Sequence, residues 1–179
     1  ILYEQGGIYF DTDVEVIKDF GDILEKGSFM GCENTDYKKA IAINPGLGCA
    51  MAPWLDFCRE ILEDYERSSF LNEDGSPNLY TIVERTNKIL KKYGLKEKTD
   101  EIQQVAGINI FPVEYFAPID MRNGKITITE KTRSIHRYAA SWESKYNILR
   151  GKIYRFISVH FGEKIAFSFK KVLGRKSSN

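Results

Sequence analysis

Two aspartates one residue apart, Asp11 and Asp13, close an apolar run that begins at Ile8 behind Gly6-Gly7. A run such as Ile8-Tyr9-Phe10 reads as a short buried strand. If strand geometry persisted, both carboxylates would point the same way, because side chains alternate with period two. A turn at Thr12 is the other geometry, and in either case two anions share a small space at a strand end. Crowded anions require a cation or protons. Oxygen ligands that leave room for phosphate suit Mg²⁺ or Mn²⁺. Gly6-Gly7 lets the backbone come close to something bulky. A bare Asp-x-Asp is also compatible with a turn carrying two solvated carboxylates.

A second chemical stretch runs Ser134-Ile135-His136-Arg137-Tyr138-Ala139-Ala140-Ser141-Trp142 and holds one of the two histidines. A metal already bound by two carboxylates needs further ligands, and imidazole serves Mn²⁺. A hydrogen-bonded structural histidine is the other reading of His136. Arg137 offers a planar fork that matches a diphosphate. His160 stands in a basic tail and reads as a surface residue. Asn44, before Pro45, is either a turn residue or a polar group facing a ligand. Asp74, in the Asn72–Asn78 turn, reads as turn chemistry. No Gly-rich P-loop is present, and no Ser-His-Asp or Cys-His arrangement can be assigned. Acid pairs that hydrolyse glycosides flank the sugar, and two carboxylates separated by Thr12 alone sit too close together for that.

The elements that must position these residues are legible in outline. Residues 1–5 read as the end of a helix capped by Gly6-Gly7. Strands are expected at Val14–Ile17, Phe29–Glu33, Ala40–Asn44 (ending at Pro45-Gly46) and Ile108–Pro112, with Pro at its end. A short helical piece spans Ile23–Lys26. Apolar residues at 54, 55, 57, 58, 61, 62 and 65 predict an amphipathic helix over Trp54–Ser68, and Tyr80–Tyr93 reads as another, stopped by Gly94. Lys96–Gln103 reads as a solvated loop or a strand edge. Asn123-Gly124 between 119–121 and 125–129 signals a hairpin.

At 179 residues and 42% hydrophobic content the chain suits one soluble core. The net charge of +1 argues against a general nucleic-acid binder. That average conceals an asymmetry: from Lys145 onward nine Lys/Arg face one acid, Glu163, so the segment is +8 and the remainder −7. Cys32, Cys49 and Cys58 read as free thiols of a reducing compartment. No run of about 20 apolar residues is present. The tail, 145–179, mixes Leu149, Ile153, Phe156 and Ile157 on one helical face with Arg150, Lys152 and Arg155 beside it. It reads either as a helix lying on an anionic membrane surface or as one packed on the domain with a basic edge.

The stretch "LYEQGGIYFDTDVEVI" resembles the DXD signature of the family 32 glycosyltransferases, a group that includes bacterial capsular and lipopolysaccharide sugar transferases. Further segments resemble the family: "IAINPGLGCAMAPWLDFCREIL", "GSPNLYT", "FPVEYFAP" and the Ser-Ile-His…Ser-Trp stretch, which departs from it at Arg137 and Ala140. The resemblance implies an α/β GT-A domain, a Rossmann-like mixed sheet flanked by helices. Its first βα units would be missing, with residues 1–144 as a truncated catalytic domain and 145–179 as a basic amphipathic helical segment. It implies catalytic roles for Asp11, Asp13 and Asn44, and metal ligation by Asp11, Asp13 and His136. It implies donor contacts from Gly6, Gly7, Tyr9, Asp11, Arg137, Ser141 and Trp142. The implied reaction is sugar transfer, with retention, from a nucleotide-diphosphate donor, a UDP-sugar first, to a glycan or lipid-linked glycan. Mn²⁺ or Mg²⁺ would neutralise the departing diphosphate. The expected location is the cytoplasm, with peripheral contact at the inner face of the cell membrane through 145–179. Two alternatives stand beside this: a non-catalytic sugar-nucleotide or carbohydrate-binding module, and a phosphohydrolase using Asp11 as nucleophile, from whose opening motif Glu15 departs.

Overall fold

The computed structural model describes residues 1–35, 40–96, 100–121, 123–139, 144–162, 165–166 and 168. In chain order these form α1 (Leu2–Gln5), β1 (Gly7–Tyr9), β2 (Val14–Val16), α2 (Gly21–Leu24), β3 (Phe29–Thr35), β4 (Ala40–Met51), α3 (Asp56–Glu66) and α4 (Ile82–Lys92). There follow β5 (Gln103–Val105), β6 (Ile108–Phe111), a 3-10 turn (Val113–Tyr115), β7 (Ser134–His136) and α5 (Lys145–Phe161). The chain divides into two compact units. One comprises Ile1–Pro118 with Ile128–Arg137; the other comprises Ile119–Thr127 with Tyr138–Asn179.

The first unit is built on a mixed five-stranded sheet in the order β1-β4-β3-β6-β5. Only β3 and β6 run parallel; the other pairs are antiparallel. The parallel pair needs a crossover, and α3 and α4 lie within it. One sheet face carries Met30, Cys32, Ile43, Cys49, Met51, Ile108 and Ile110, buried against Phe57 of α3 and Ile89 and Leu90 of α4. Alternation along β3 and β6 sends Phe29 and Phe111 to the opposite face. There they join Phe20 and Phe116 in a cluster whose ring centroids lie 5.5–6.1 Å apart. Such ring pairs add to the stabilisation from apolar burial alone.

α4 is the best-specified helix locally. Thr81 Oγ1 accepts from Glu84 N–H and the Glu84 carboxylate accepts from Thr81 N–H, a reciprocal capping box. Lys91 and Lys92 occupy its negative end. Its Asn87 side chain reaches the sheet, donating to Ile43 O and accepting from Ile43 N, both at 3.0 Å. An amide side chain thus stands where a neighbouring strand would bond β4.

Several expectations shift. β4 does not end at Pro45-Gly46 but continues to Met51. Gly31 of β3 pairs with Asn44 and the adjacent Met30 with Cys49, so Pro45–Gly48 oppose no β3 residue and bulge out. Proline lacks the N–H that a ladder needs, and a bulge is where a sheet tolerates it. Trp54 precedes α3 rather than opening it. Its φ is 61°, its N–H donates to Tyr3 O at 2.6 Å, and its ring meets Tyr3 edge-on with centroids 5.1 Å apart. α2 starts two residues earlier than expected, at Gly21, and Gln103–Val105 is strand β5.

In the second unit the Asn123-Gly124 turn is present, closed by a single bridge between Ile119 and Ile126 and by Asp120 N–H donating to Lys125 O at 2.9 Å. α5 stops at Gly162, whose φ is 88°.

Candidate metal centre

The Asp11-Thr12-Asp13 segment is held by the sheet bulge and by an aromatic anchor. β1 lies antiparallel to the far half of β4, with Tyr9 opposite Cys49. The chain then leaves the sheet at Phe10, whose ring lies against Gly48 and meets Phe20 edge-on, with centroids 5.4 Å apart. The next N–H, of Asp11, donates to Gly46 O at 3.1 Å. Val14 N–H donates back to Asp11 O at 3.1 Å, so the chain turns at Thr12. Straight strand geometry therefore does not persist through the pair, and the turn brings the two carboxylates together.

His136 arrives from β7, the partner of β2 in a separate two-stranded sheet, where it sits opposite Val14. Its N–H donates to Phe116 O at 3.3 Å, and Arg137 N–H donates to Asp13 O at 3.0 Å. These bonds tie β7 to the aromatic cluster on one side and to the acidic turn on the other. The His136 side chain is buried, while Asp11 and Asp13 are half-buried. His136 Nε2 lies 3.5 Å from Asp11 Oδ2 and 3.3 Å from Asp13 Oδ1. One ligand atom from each of the three falls within 4.8 Å of the others. Two carboxylate oxygens and one imidazole nitrogen at that spacing form a donor set able to hold a divalent cation.

Around this triad the other expected residues fall into distinct places. Tyr9 hydroxyl donates to Asp11 Oδ1 at 2.7 Å, and that bond, with burial and the nearby carboxylates behind it, holds the phenol above its ordinary value. Asn44 Oδ1 accepts from Gly46 N at 2.8 Å, and its Nδ2 donates to Glu33 Oε2 at 3.0 Å. The Asn44 side chain therefore braces the bulge. Gly6, with φ 66°, comes close to the protein itself: a Cβ there would stand 2.7 Å from Met51 O and 2.9 Å from Pro53 Cδ. Beside Gly7 the space is open. Arg137 forms a two-pronged ion pair with Glu15 through Nε, at 2.9 Å, and Nη2; the fork expected to meet a diphosphate lies on that carboxylate. Ser141 and Trp142 lie outside the described residues.

Sequence reading missed two contributors. A Cβ on Gly46 would run into Asp11 Oδ2 and stand 3.1 Å from Asn44 Oδ1, so this position admits no larger side chain while Asp11 keeps its place. A glycine inside a strand pattern signals close backbone approach, and that signal was present in Pro45-Gly46. Glu33, at the other end of the Asn44 amide, carries no sequence signal of its own.

Residues 1–30 match the family model described as the glycosyltransferase sugar-binding region containing the DXD motif. That segment contains α1, β1, Asp11, Asp13 and β2, and the match points to a glycosyltransferase. No curated protein and no solved structure matches the chain.

The thiols take no part in the triad. Burial pushes Cys32 and Cys49 up to about 12 and raises Cys58 as well; all three are free.

Proposed function

We propose that this chain is a metal-dependent glycosyltransferase domain of the GT-A type, of the family 32 kind. It would move a sugar from a nucleotide-diphosphate donor, a UDP-sugar first, to a glycan or lipid-linked glycan with retention, in the assembly of bacterial capsule or lipopolysaccharide. The observation that carries the proposal is the convergence of Asp11, Asp13 and His136 on one point, with both aspartates inside the segment that matches the sugar-binding region.

When bound there, Mn²⁺ or Mg²⁺ supplies a Lewis acid for the diphosphate leaving group; Mn²⁺ accepts the imidazole more readily than Mg²⁺. In this reading Asp13 and His136 are direct ligands. Asp11, oriented by the Tyr9 hydroxyl and by the bulge at Gly46, serves as a ligand and also reaches donor hydroxyls. Asn44 acts through the bulge, because both ends of its amide are engaged. Arg137 reaches a phosphate only by leaving Glu15, so donor binding would exchange one carboxylate partner for another anion. Gly7 leaves open space for the donor, and Ser141 and Trp142 would cover it.

The test pairs Mn²⁺ binding with hydrolysis or transfer of UDP-sugars. Asp13→Ala should lower both, activity by at least about 10²-fold. Undiminished activity in that variant would refute the metal-dependent mechanism. Mn²⁺-dependent UDP binding without turnover would mark a binding module instead.

A further inference from the structure

We propose that α5 is an interfacial helix that lies on an anionic lipid surface. Its sequence, Lys145–Phe161, contains no acid and carries Lys145, Arg150, Lys152 and Arg155. Successive residues of a helix are about 100° apart. Tyr146, Leu149, Ile153 and Phe156 therefore follow one another down one side, with Ile157 beside them. Lys152 borders this strip on one flank and Arg150 on the other. Asn147, Gly151, Arg155 and Ser158 fall together on the opposite side, and Ile148, Tyr154, Val159 and Phe161 lie outside the strip. The strip is open: Tyr146, Leu149 and Phe156 are 61%, 56% and 57% exposed. No described helix is long and apolar enough to cross a membrane.

Charge selects the occupant. The 3-4 spacing of Tyr146, Leu149, Ile153 and Phe156 would also suit pairing with a second copy. Two copies of a helix with four cations and no acid would set like charges along both edges of the seam, where coiled coils place complementary pairs. An anionic bilayer meets the same edges with opposite charge. Apolar side chains would enter the acyl boundary while the long Lys and Arg stems reach back to the headgroups. Gly151 weakens the helix in water, so the surface would also complete its folding.

The experiment is co-sedimentation of the whole chain with phosphatidylcholine vesicles, with and without phosphatidylglycerol, at low and high salt. The inference requires pelleting with the anionic vesicles, loss of pelleting as salt rises, and little pelleting with the neutral ones. Each of Arg150→Gln and Lys152→Gln, on the flanks of the strip, should lower partitioning by about fivefold; Arg155→Gln, on the opposite side, should change it less. Leu149→Ser/Phe156→Ser should lower it by at least tenfold, with helix content checked by circular dichroism to separate lost binding from lost folding. Absence of pelleting, equal pelleting with neutral vesicles, or a dimer that Leu149→Ser/Phe156→Ser dissociates would each overturn it.

Discussion

Two charged clusters in the same unit use aspartates to opposite ends. At Asp64, on α3, one carboxylate meets two cations: Arg85 Nη1 forms an ion pair with Oδ2, and Lys88 Nζ lies 3.2 Å from Oδ1. The Arg85 guanidinium is buried, lies over the rings of Tyr65 and Tyr80 at 4.2 and 4.7 Å, and also donates to Ser68 Oγ at 2.9 Å. At Asp11 and Asp13, two carboxylates converge on one imidazole. The first cluster gathers more positive than negative charge and ties α3 to α4. The second brings two carboxylates together at a strand end beside one imidazole. The first arrangement serves the fold; the second brings together donor atoms able to hold a cation.

That contrast can be broken by variants that should affect one cluster and spare the other. The largest effect is expected from Arg85→Ala, which leaves Asp64 without its buried partner and removes the tyrosine stacking. Urea unfolding should show a loss of about 3 kcal/mol, with Mn²⁺ affinity of the folded protein unchanged. A fall in affinity parallel to stability would mean the two clusters are not separable. Gly46→Ala is expected to do the converse. The added methyl displaces the Asp11 carboxylate, so Mn²⁺ affinity measured by calorimetry should drop by about 10–100-fold, with a smaller change in urea midpoint. Equal Mn²⁺ binding by wild type and Gly46→Ala would remove the bulge from the account of the site.

The smallest effect lies in acid. Burial opposes ionisation of Asp64, but the hydrogen bonds from Lys88 and Arg85 outweigh it and hold the carboxyl below its ordinary 3.8. A depressed folded-state value means stability that is fully present above the unfolded carboxylate's range and lost as pH falls through the folded value. Urea midpoints should therefore fall below about pH 4, and Asp64→Asn should flatten part of that fall. An unchanged slope in Asp64→Asn would show that other carboxylates carry the acid sensitivity.

Much of the first unit was legible because its signals are local. Gly6 ends α1 as the glycine pair suggested. The apolar period announced α3, and Gly94 marked the end of α4. β6 appears over the residues its apolar run marked. The miss at β4 has a definite cause. Pro45-Gly46 is a stop signal in a lone strand, yet here β1 pairs with Cys49–Met51 and β3 with Cys49 and Ala50 beyond it, and two neighbouring strands recapture the chain after the bulge. By spacing alone Trp54 fits a helical stripe, whereas the backbone bond to Tyr3 O takes it out of α3.

The sequence by itself determined that two carboxylates would share a small space at a strand end, because three consecutive residues leave them nowhere else to go. It also determined the basic, acid-poor character of α5. Only the tertiary structure decided that His136 joins those carboxylates, that Arg137 spends its charge on Glu15, and that Asn44 reaches Asp11 through Gly46. Those outcomes depend on which strands pair and in what register, and pairing between distant segments is set by the burial of whole faces rather than by the residues that finally meet.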